Sequence, residues 1–546
     1  MRFPLIVSLA AKRRVDSTSA KIPGSPAGAG EAAHFSRLSG AHASALAPSV
    51  YILAALAVLV HFLFNRQYGY FRDELYYAAC GEHLAWGYVD HAPLIAFASW
   101  LTRGLFGDSL FALRLLPALS AAPKVFLAGW MAREVGGEKF SQFFSALLVL
   151  LAPIYLTFDN FLSMNAFEPV LWMLCAAIVL RILNGGSPVL WLLFGLVAGI
   201  GLLNKHSMLF FGSGLALGLL LTPARRQFAR MEIWMGAGAA LVVFLPNLLW
   251  EIRNGYPTIA LLNHVIGSKY TIVSPLAFIA QQFLLVNPLA SPFWLAGLWF
   301  LLADKTGRKY AALGIAYLVV LFEMIVLHGK IYYLAPAYIM LLAAGAVWWE
   351  RQVFSRVRSW LKPAVIAPLA VSGIIAAPLA MPVLPVAAAV KYCKFFGVQD
   401  VKVENVPLNS LPQLFGDMFG WPEQVAAVSR AFHSLPPDEQ SRAALLAYNY
   451  GEAGAIDYLG KRYGLPKAIS GHNQYGYWGP RGATGDLVIA IGFSKSRLEQ
   501  SFSSVQPFET VSPPYALPEE SGLTVYICRE PRQPLASSWS GWMYLD

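Results

Sequence analysis

Apolar runs recur at about residues 49–65, 112–131, 140–157, 167–183, 189–203, 207–222, 232–250, 284–303, 310–327, 333–349 and 363–386, and they decide what this chain can become. A helix that crosses a bilayer core needs about 20 mostly apolar residues. A water-soluble protein has nowhere to bury so many helices that are apolar on every side. Of 546 residues, 57% are hydrophobic and only 13% charged, where a soluble protein carries about 25% charged residues. The expected fold is an α-helical polytopic membrane protein. It has about 11 transmembrane helices over residues 49–386, with juxtamembrane helices on the outer surface, and a small C-terminal α/β extracytoplasmic domain over residues 387–546.

Charge sorts the connections between these runs. One set holds Arg133 and Lys139, Arg181, "ARRQFAR", "DKTGRK" and "ERQVFSRVRSWLK"; the other is longer and carries only scattered basic residues. Short loops rich in Lys and Arg stay in the cytoplasm. The N-terminus is therefore expected inside. An odd number of spans then sends the C-terminal domain outside, into the periplasm if the membrane is a bacterial inner membrane. The formal charge of +10 belongs to the membrane part, because residues 386–546 hold 13 Lys/Arg against 15 Asp/Glu. No nucleic-acid partner is indicated.

Residues 1–48, rich in Ala, Ser, Gly and Pro, read as a disordered cytoplasmic leader. "KRR" follows "FPLIVSLAA" where a signal peptide needs a small-residue cleavage site. Cys80, Cys175, Cys393 and Cys528 form no CxxC or metal-like cluster. Cys80, Cys393 and Cys528 share the outer side, so a single disulfide and packed free thiols are both open.

The outer connections carry the chemistry. The first, about residues 66–111, contains "GYFRDELYYAACGEHLAWGYVDHAPL". Its apolar residues recur at helical spacing and Pro93 and Gly104 punctuate it, which predicts two short helices along the membrane surface. The second is the turn "TFDNFLSMN", the third spans about residues 251–283, and tight basic turns surround Lys205 and Lys330. In the tail, "DLVIAIGF" and "LTVYICRE" read as buried strands, and "SRAALLAYNYGEAGAIDYLGKRYG" contains a helix ending in Gly.

Asp73, Glu74, Glu82 and Asp90 cluster in the first connection, while Lys205, His206, Lys269, His328 and Lys330 sit on the same side. Acids from one loop facing bases from others outline a polar cavity at the membrane surface, suited to an anionic lipid-linked substrate. A departing phosphate needs Lys or Arg within hydrogen-bonding reach, which Lys205 and Lys330 can supply. An acceptor hydroxyl needs a carboxylate to take its proton, and Asp73 is the candidate. Glu74 would orient the acceptor or raise the proton affinity of Asp73 by like-charge repulsion. The plain alternative is a solvated helix start with acids near the positive end of the dipole.

Four stretches in order, "FRDELYY" (Asp73, Glu74), "TFDNFLSMNAFEP" (Asp159, Asn165, Glu168), "GLLNKHSMLFFG" (Lys205) and "GKIYYLAPAYIMLLAAG" (Lys330, Tyr332, Tyr333), resemble the integral-membrane C-type glycosyltransferases. The nearest group is the bacterial protein O-mannosyltransferase-like and aminoarabinose-transferase-like members, and the resemblance covers about residues 49–350. It implies an inverting transfer of one sugar from a polyprenyl-phosphate carrier to a hydroxyl of a glycolipid, glycan or protein at the outer face. By the same resemblance Asp73 is the base with Glu74 beside it. Lys205, His206 and Lys330 bind the carrier phosphate, and Tyr332 and Tyr333 lie near the carrier.

Other residues keep two readings. Asp159 is a second acid or a helix-terminal group, and Glu168, beside Pro169, is a structural hydrogen-bonding group or part of the cavity. Asp90 and His91 touch acceptor or headgroup, or simply make a turn. "GHNQYGYWGPRG" suits sugar binding and loop packing equally, and His264 reads as packing. No metal site and no cofactor are expected, the lipid-linked sugar being a substrate; a cation shared by Asp73, Asp159 and a phosphate is the alternative. The rival from another class is a transporter or flippase of a lipid-linked envelope precursor. Transporters, however, place key groups near the midplane of related halves, and this chain gathers its charges on one side.

Overall fold

The computed structural model describes residues 45–268, 273–401 and 404–546; most of the leader and Lys269 lie outside the described residues. Every one of the eleven apolar runs is helical. The expected count of about eleven crossings is not confirmed. Among the described residues, six helices are long and apolar enough to cross a membrane, or eight if two pairs bent by 107° and 94° each count as one span. The helices Pro48–Phe64, Lys139–Leu150 and Leu190–Asn204 have 17, 12 and 15 residues. At 1.5 Å per residue they rise about 18–26 Å, short of the ~30 Å hydrocarbon core. Turns before Pro153 and Pro288 each cut one apolar run into two helices.

The membrane helices approach each other closely through glycine. A Cβ on Gly297 would stand 1.9 Å from the Leu341 carbonyl oxygen and one on Gly345 1.8 Å from that of Phe293. The Ser291–Leu302 and Tyr338–Trp349 helices therefore meet backbone to backbone, as small residues allow in lipid.

The first outer connection folds into the helices Arg72–Glu82 and Leu94–Phe106, as its periodicity predicts, the second closed by Gly107 (φ 75°) rather than at Gly104. Residues beyond 400 build a five-stranded sheet from β1 (Ala444–Ala447), β2 (Ala468–Ile469), β3 (Leu487–Ile491), β4 (Phe502–Val511) and β5 (Leu523–Pro531), in the order β2-β1-β3-β5-β4. β1 runs parallel to β2 and β3, while β5 is antiparallel to β3 and β4. β3 and β5 are the two strands read from sequence. The segment expected to contain a helix ending in Gly holds the Tyr450–Leu459 helix, capped by Gly460, and before it the unforeseen β1.

Alternate residues of a strand face opposite sides of a sheet. Ala444, Leu446, Val488 and Ala490 enter one core, with Trp539 and Trp542. Leu445, Ala447, Leu487 and Ile489 enter another, which continues into Leu75, Tyr76, Ala78 and Ile95 of the first outer connection. Residues on both sides of the expected 386/387 boundary thus share one core. Gly454 shows how tight this is: a Cβ there would lie 2.8–2.9 Å from the Leu75 carbonyl group. All four cysteines are buried and free, so the disulfide alternative is not realised.

Candidate active site

The site begins where the Arg72–Glu82 helix begins. Asp73 stands in its first turn, where backbone N–H groups favour negative charge, and is half-buried. The Tyr450 hydroxyl, from the C-terminal domain, donates to Asp73 Oδ1 at 2.9 Å. Burial, then the charge of Asp73, pushes the Tyr450 hydroxyl far above its usual pKa, so it remains a hydrogen-bond donor. Tyr450 is itself held between Tyr76 (ring centroids 4.5 Å apart, stacked) and His472 (4.7 Å). His472 stacks in turn on Tyr544 at 4.6 Å. "GHNQYGYW" therefore supplies the back of this aromatic column.

Next to Asp73, the Arg72 guanidinium draws three carboxylates together: Glu519 at 2.9 Å, Glu404 at 3.5 Å and Asp417 at 3.6 Å. Burial raises the Asp417 carboxyl to about 7 against the pull of Arg72. Glu404 also accepts from Lys330 Nζ at 2.8 Å, so one carboxylate bridges Arg72 and Lys330. Lys330 is close enough for its charge to act on Lys205. The Lys205 ammonium donates to Asn165 (2.8 Å) and Glu168 (3.0 Å) and lies 4.2 Å from the centre of the Tyr333 ring and 5.7 Å from that of Tyr332. Buried Tyr77 closes the circuit: burial, then Asp73 and Asp90, and also Tyr332, hold its hydroxyl far above the usual range.

Asp73, Arg72, Lys205, Lys330, Tyr332 and Tyr333 thus gather at one end of the helices, on three separate chain segments. Such an array can hold a phosphate among cations while a carboxylate stands at its edge to take a proton.

Several expected residues are placed otherwise. Glu74 does not face a substrate. It is fully buried and accepts two bonds from Arg114 Nε and one from Nη2, with the Phe71 and Leu162 amides completing its shell. A carboxylate so saturated neither orients an acceptor nor repels Asp73. Asp159 is no second acid: its carboxylate is taken by Lys124 and Ser120 in the protein interior. This also removes the shared cation between Asp73 and Asp159. Among the described residues no three His, Cys, Asp or Glu side chains converge as metal ligands.

Asp90 and His91 act as internal ties and not as headgroup contacts. Asp90 accepts from Tyr76 (2.9 Å) and Asn473 (3.1 Å), and His91 is buried against Tyr88. His206 bonds Asn247 at 2.9 Å, which turns its ring away from a phosphate role. Glu168 combines both readings, pairing with Lys205 and bonding Ser207.

Arg114, Lys124, Tyr450, Glu404 and Asp417 were not singled out from sequence. Arg114 and Lys124 carried a usable signal, since a cation inside an apolar helix demands a partner. Tyr450, Glu404 and Asp417 reach the site across more than 330 residues of chain, and nothing local marks them.

Comparison with known proteins finds similarities in sequence and in fold. Residues 90–250 match the family model described as dolichyl-phosphate-mannose-protein mannosyltransferase. The lipid A galacturonosyltransferase RgtD of Rhizobium johnstonii is 29% identical over 249 residues, which is 44% of this chain and 50% of that protein. The chain therefore spans about half the length of that curated relative. Two crystal structures of ArnT from Cupriavidus metallidurans share the fold. One is bound to undecaprenyl phosphate (TM-score 0.59, 15% identity) and one is apo (TM-score 0.60, 14% identity); each aligns over 87% of this chain and 97% of ArnT. The resemblance read from the motifs therefore holds.

Proposed function

We propose that this chain, a multi-pass membrane protein of the C-type glycosyltransferase kind with the ArnT fold, moves one sugar from a polyprenyl-phosphate carrier to an acceptor hydroxyl. The observation that carries this reading is the gathering of one half-buried carboxylate, Asp73, with Arg72, Lys205 and Lys330 at one end of the helices. The acceptor oxygen attacks the anomeric carbon as the carbon–oxygen bond to phosphate breaks, inverting the centre. Asp73 takes the hydroxyl proton, and the carrier leaves as polyprenyl phosphate. Lys205 and Lys330 receive the charge that develops on the leaving phosphate. Until it arrives, Glu168 and Glu404 keep both ammonium groups paired. Tyr332 and Tyr333 flank Lys205 where the first carrier units would run.

The curated relative is named for transfer to lipid A and the family model for transfer to protein; a glycolipid, glycan or protein acceptor is therefore the matching class. Both names are those of transferases, which favours this reading over a flippase. The charge of the short loops supports a bacterial inner membrane location with the N-terminus in the cytoplasm and the site and C-terminal domain in the periplasm. The test is a transfer assay in membranes with labelled polyprenyl-phosphate sugars, comparing the wild type with Asp73→Asn. Labelled product and free polyprenyl phosphate from the wild type alone are expected. Equal turnover by the variant would remove Asp73 from the chemistry.

A further inference from the structure

At the membrane face opposite the candidate active site lies a cavity of about 1070 Å³. Its place follows from the chain. The Met164–Leu183 helix starts at Asn165 and Glu168, beside Lys205, and ends at the cavity wall with Ile182 and Leu183. The Met208–Leu220 helix starts after His206 and ends at the cavity with Leu221, and the chain then bends by 107° into Pro223–Ala229. The Ala311–Val326 helix runs the other way, from the cavity toward Lys330.

Two halves line the space. Leu183, Leu221, Leu302 and Ile315 form an apolar wall at helix depth. Arg226, Arg230, Lys305 and Arg308 stand at its mouth, all exposed, and no carboxylate lines it. Among the described residues, none of these four side-chain heads takes part in a hydrogen bond or ion pair. A fifth cation, Lys309, is held by Asn184 at 2.8 Å. The nearby acid Asp304 is turned into its own loop, where it accepts from the Thr306 amide (2.8 Å) and hydroxyl (2.6 Å).

Basic residues at this face are expected from orientation alone. Convergence is not: two separate connections bring four unpaired cations to one opening backed by an apolar wall. Basic pockets between transmembrane helices are suited to phospholipid headgroups. We infer that this cavity binds an anionic glycerophospholipid, with its phosphate among Arg226, Arg230, Lys305 and Arg308 and an acyl chain along Leu183, Leu221 and Ile315. The inference is independent of the sugar-transfer reading, because it uses none of the residues of that site.

The test is native mass spectrometry of the purified full chain with phosphatidylglycerol or phosphatidylcholine of the same acyl composition. Phosphatidylglycerol should be retained about tenfold or more over phosphatidylcholine. R226Q/R230Q/K305Q/R308Q should abolish the preference, and the single change Arg308→Glu should weaken it if the fourfold variant does not fold. R356Q/R358Q, which removes two exposed cations outside the cavity, should leave the preference intact. The inference fails if the wild type does not discriminate, if R356Q/R358Q loses as much as the cavity variants, or if millimolar inorganic phosphate displaces the lipid.

Discussion

Neighbouring carboxylates in "RDEL" should fail in opposite ways. Glu74 and Arg114 are both 0% exposed, and their bonds run from 2.8 to 3.2 Å. Arg114 also donates to the carbonyls of Asn65, Gln67 and Gly69, so it pins the strand of chain that leads from the first helix into the outer connection. In Glu74→Gln the guanidinium stays charged and buried while its counter-charge is gone, and the new amide NH2 faces donors. Breaking a buried pair by removing one partner costs about 3–5 kcal/mol. Asp73→Asn, by contrast, keeps an oxygen for the Tyr450 hydroxyl at a half-buried position and should cost about 1 kcal/mol or less. Removing a general base costs about 10²–10⁴-fold in rate.

Both variants would be purified in the same detergent, followed by thermal unfolding and by the transfer assay on the folded fraction. Glu74→Gln should unfold several degrees earlier, or fail to accumulate, with near-normal turnover per folded molecule. Asp73→Asn should unfold with the wild type and not turn over. A Glu74→Gln protein with wild-type stability and abolished turnover would refute the assignment of Glu74 to structure and return it to the reacting groups.

Lys330→Met should raise the KM for the lipid-linked donor about tenfold to hundredfold, the worth of a charge-assisted hydrogen bond. It should leave folding intact, because Glu404 keeps Arg72; an unchanged donor KM would argue against a phosphate role. Tyr450→Phe keeps the rings of Tyr76 and His472 in contact but withdraws the donor from Asp73, so turnover should fall about tenfold. The acidic limb of its pH profile should also move to higher pH, since the lost bond favoured the ionised carboxylate; an unshifted limb would show that Tyr450 only packs.

A last prediction concerns acid. Burial alone would raise Glu82, but hydrogen bonds from Lys461, Lys467 and Arg103 hold it down to about 2 from 4.5. A depressed carboxylate stabilises the fold above its unfolded pKa and loses that contribution as pH falls through the folded one. The contact between the Arg72–Glu82 helix and the C-terminal domain should therefore loosen from about pH 4.5 down to 2. Hydrogen exchange of the Tyr450–Leu459 helix would report it, and Glu82→Gln should show no such acid step.

The sequence by itself determined the class of this protein. Runs of apolar residues can be satisfied only in lipid, and backbone groups in lipid only as helices; apolar runs bounded by turn residues marked β3 and β5 in the tail. It also determined which end of the helices carries the acids and bases, because charges at span ends are legible residue by residue. The motifs around Asp73, Lys205 and Lys330 were visible for the same reason. What the tertiary structure decided is which charge answers which. Glu74 and Asp73 are adjacent in sequence and indistinguishable by any local rule, yet one turns inward to Arg114 and the other toward Tyr450. Asp159 looked as available as Asp73 until Lys124 from another helix met it. Tyr450 reached the site only because Gly454 lets its helix lie against Leu75. Hydropathy and helical period are properties of a short window of chain, whereas the partner of a buried charge is set by the packing of segments hundreds of residues apart.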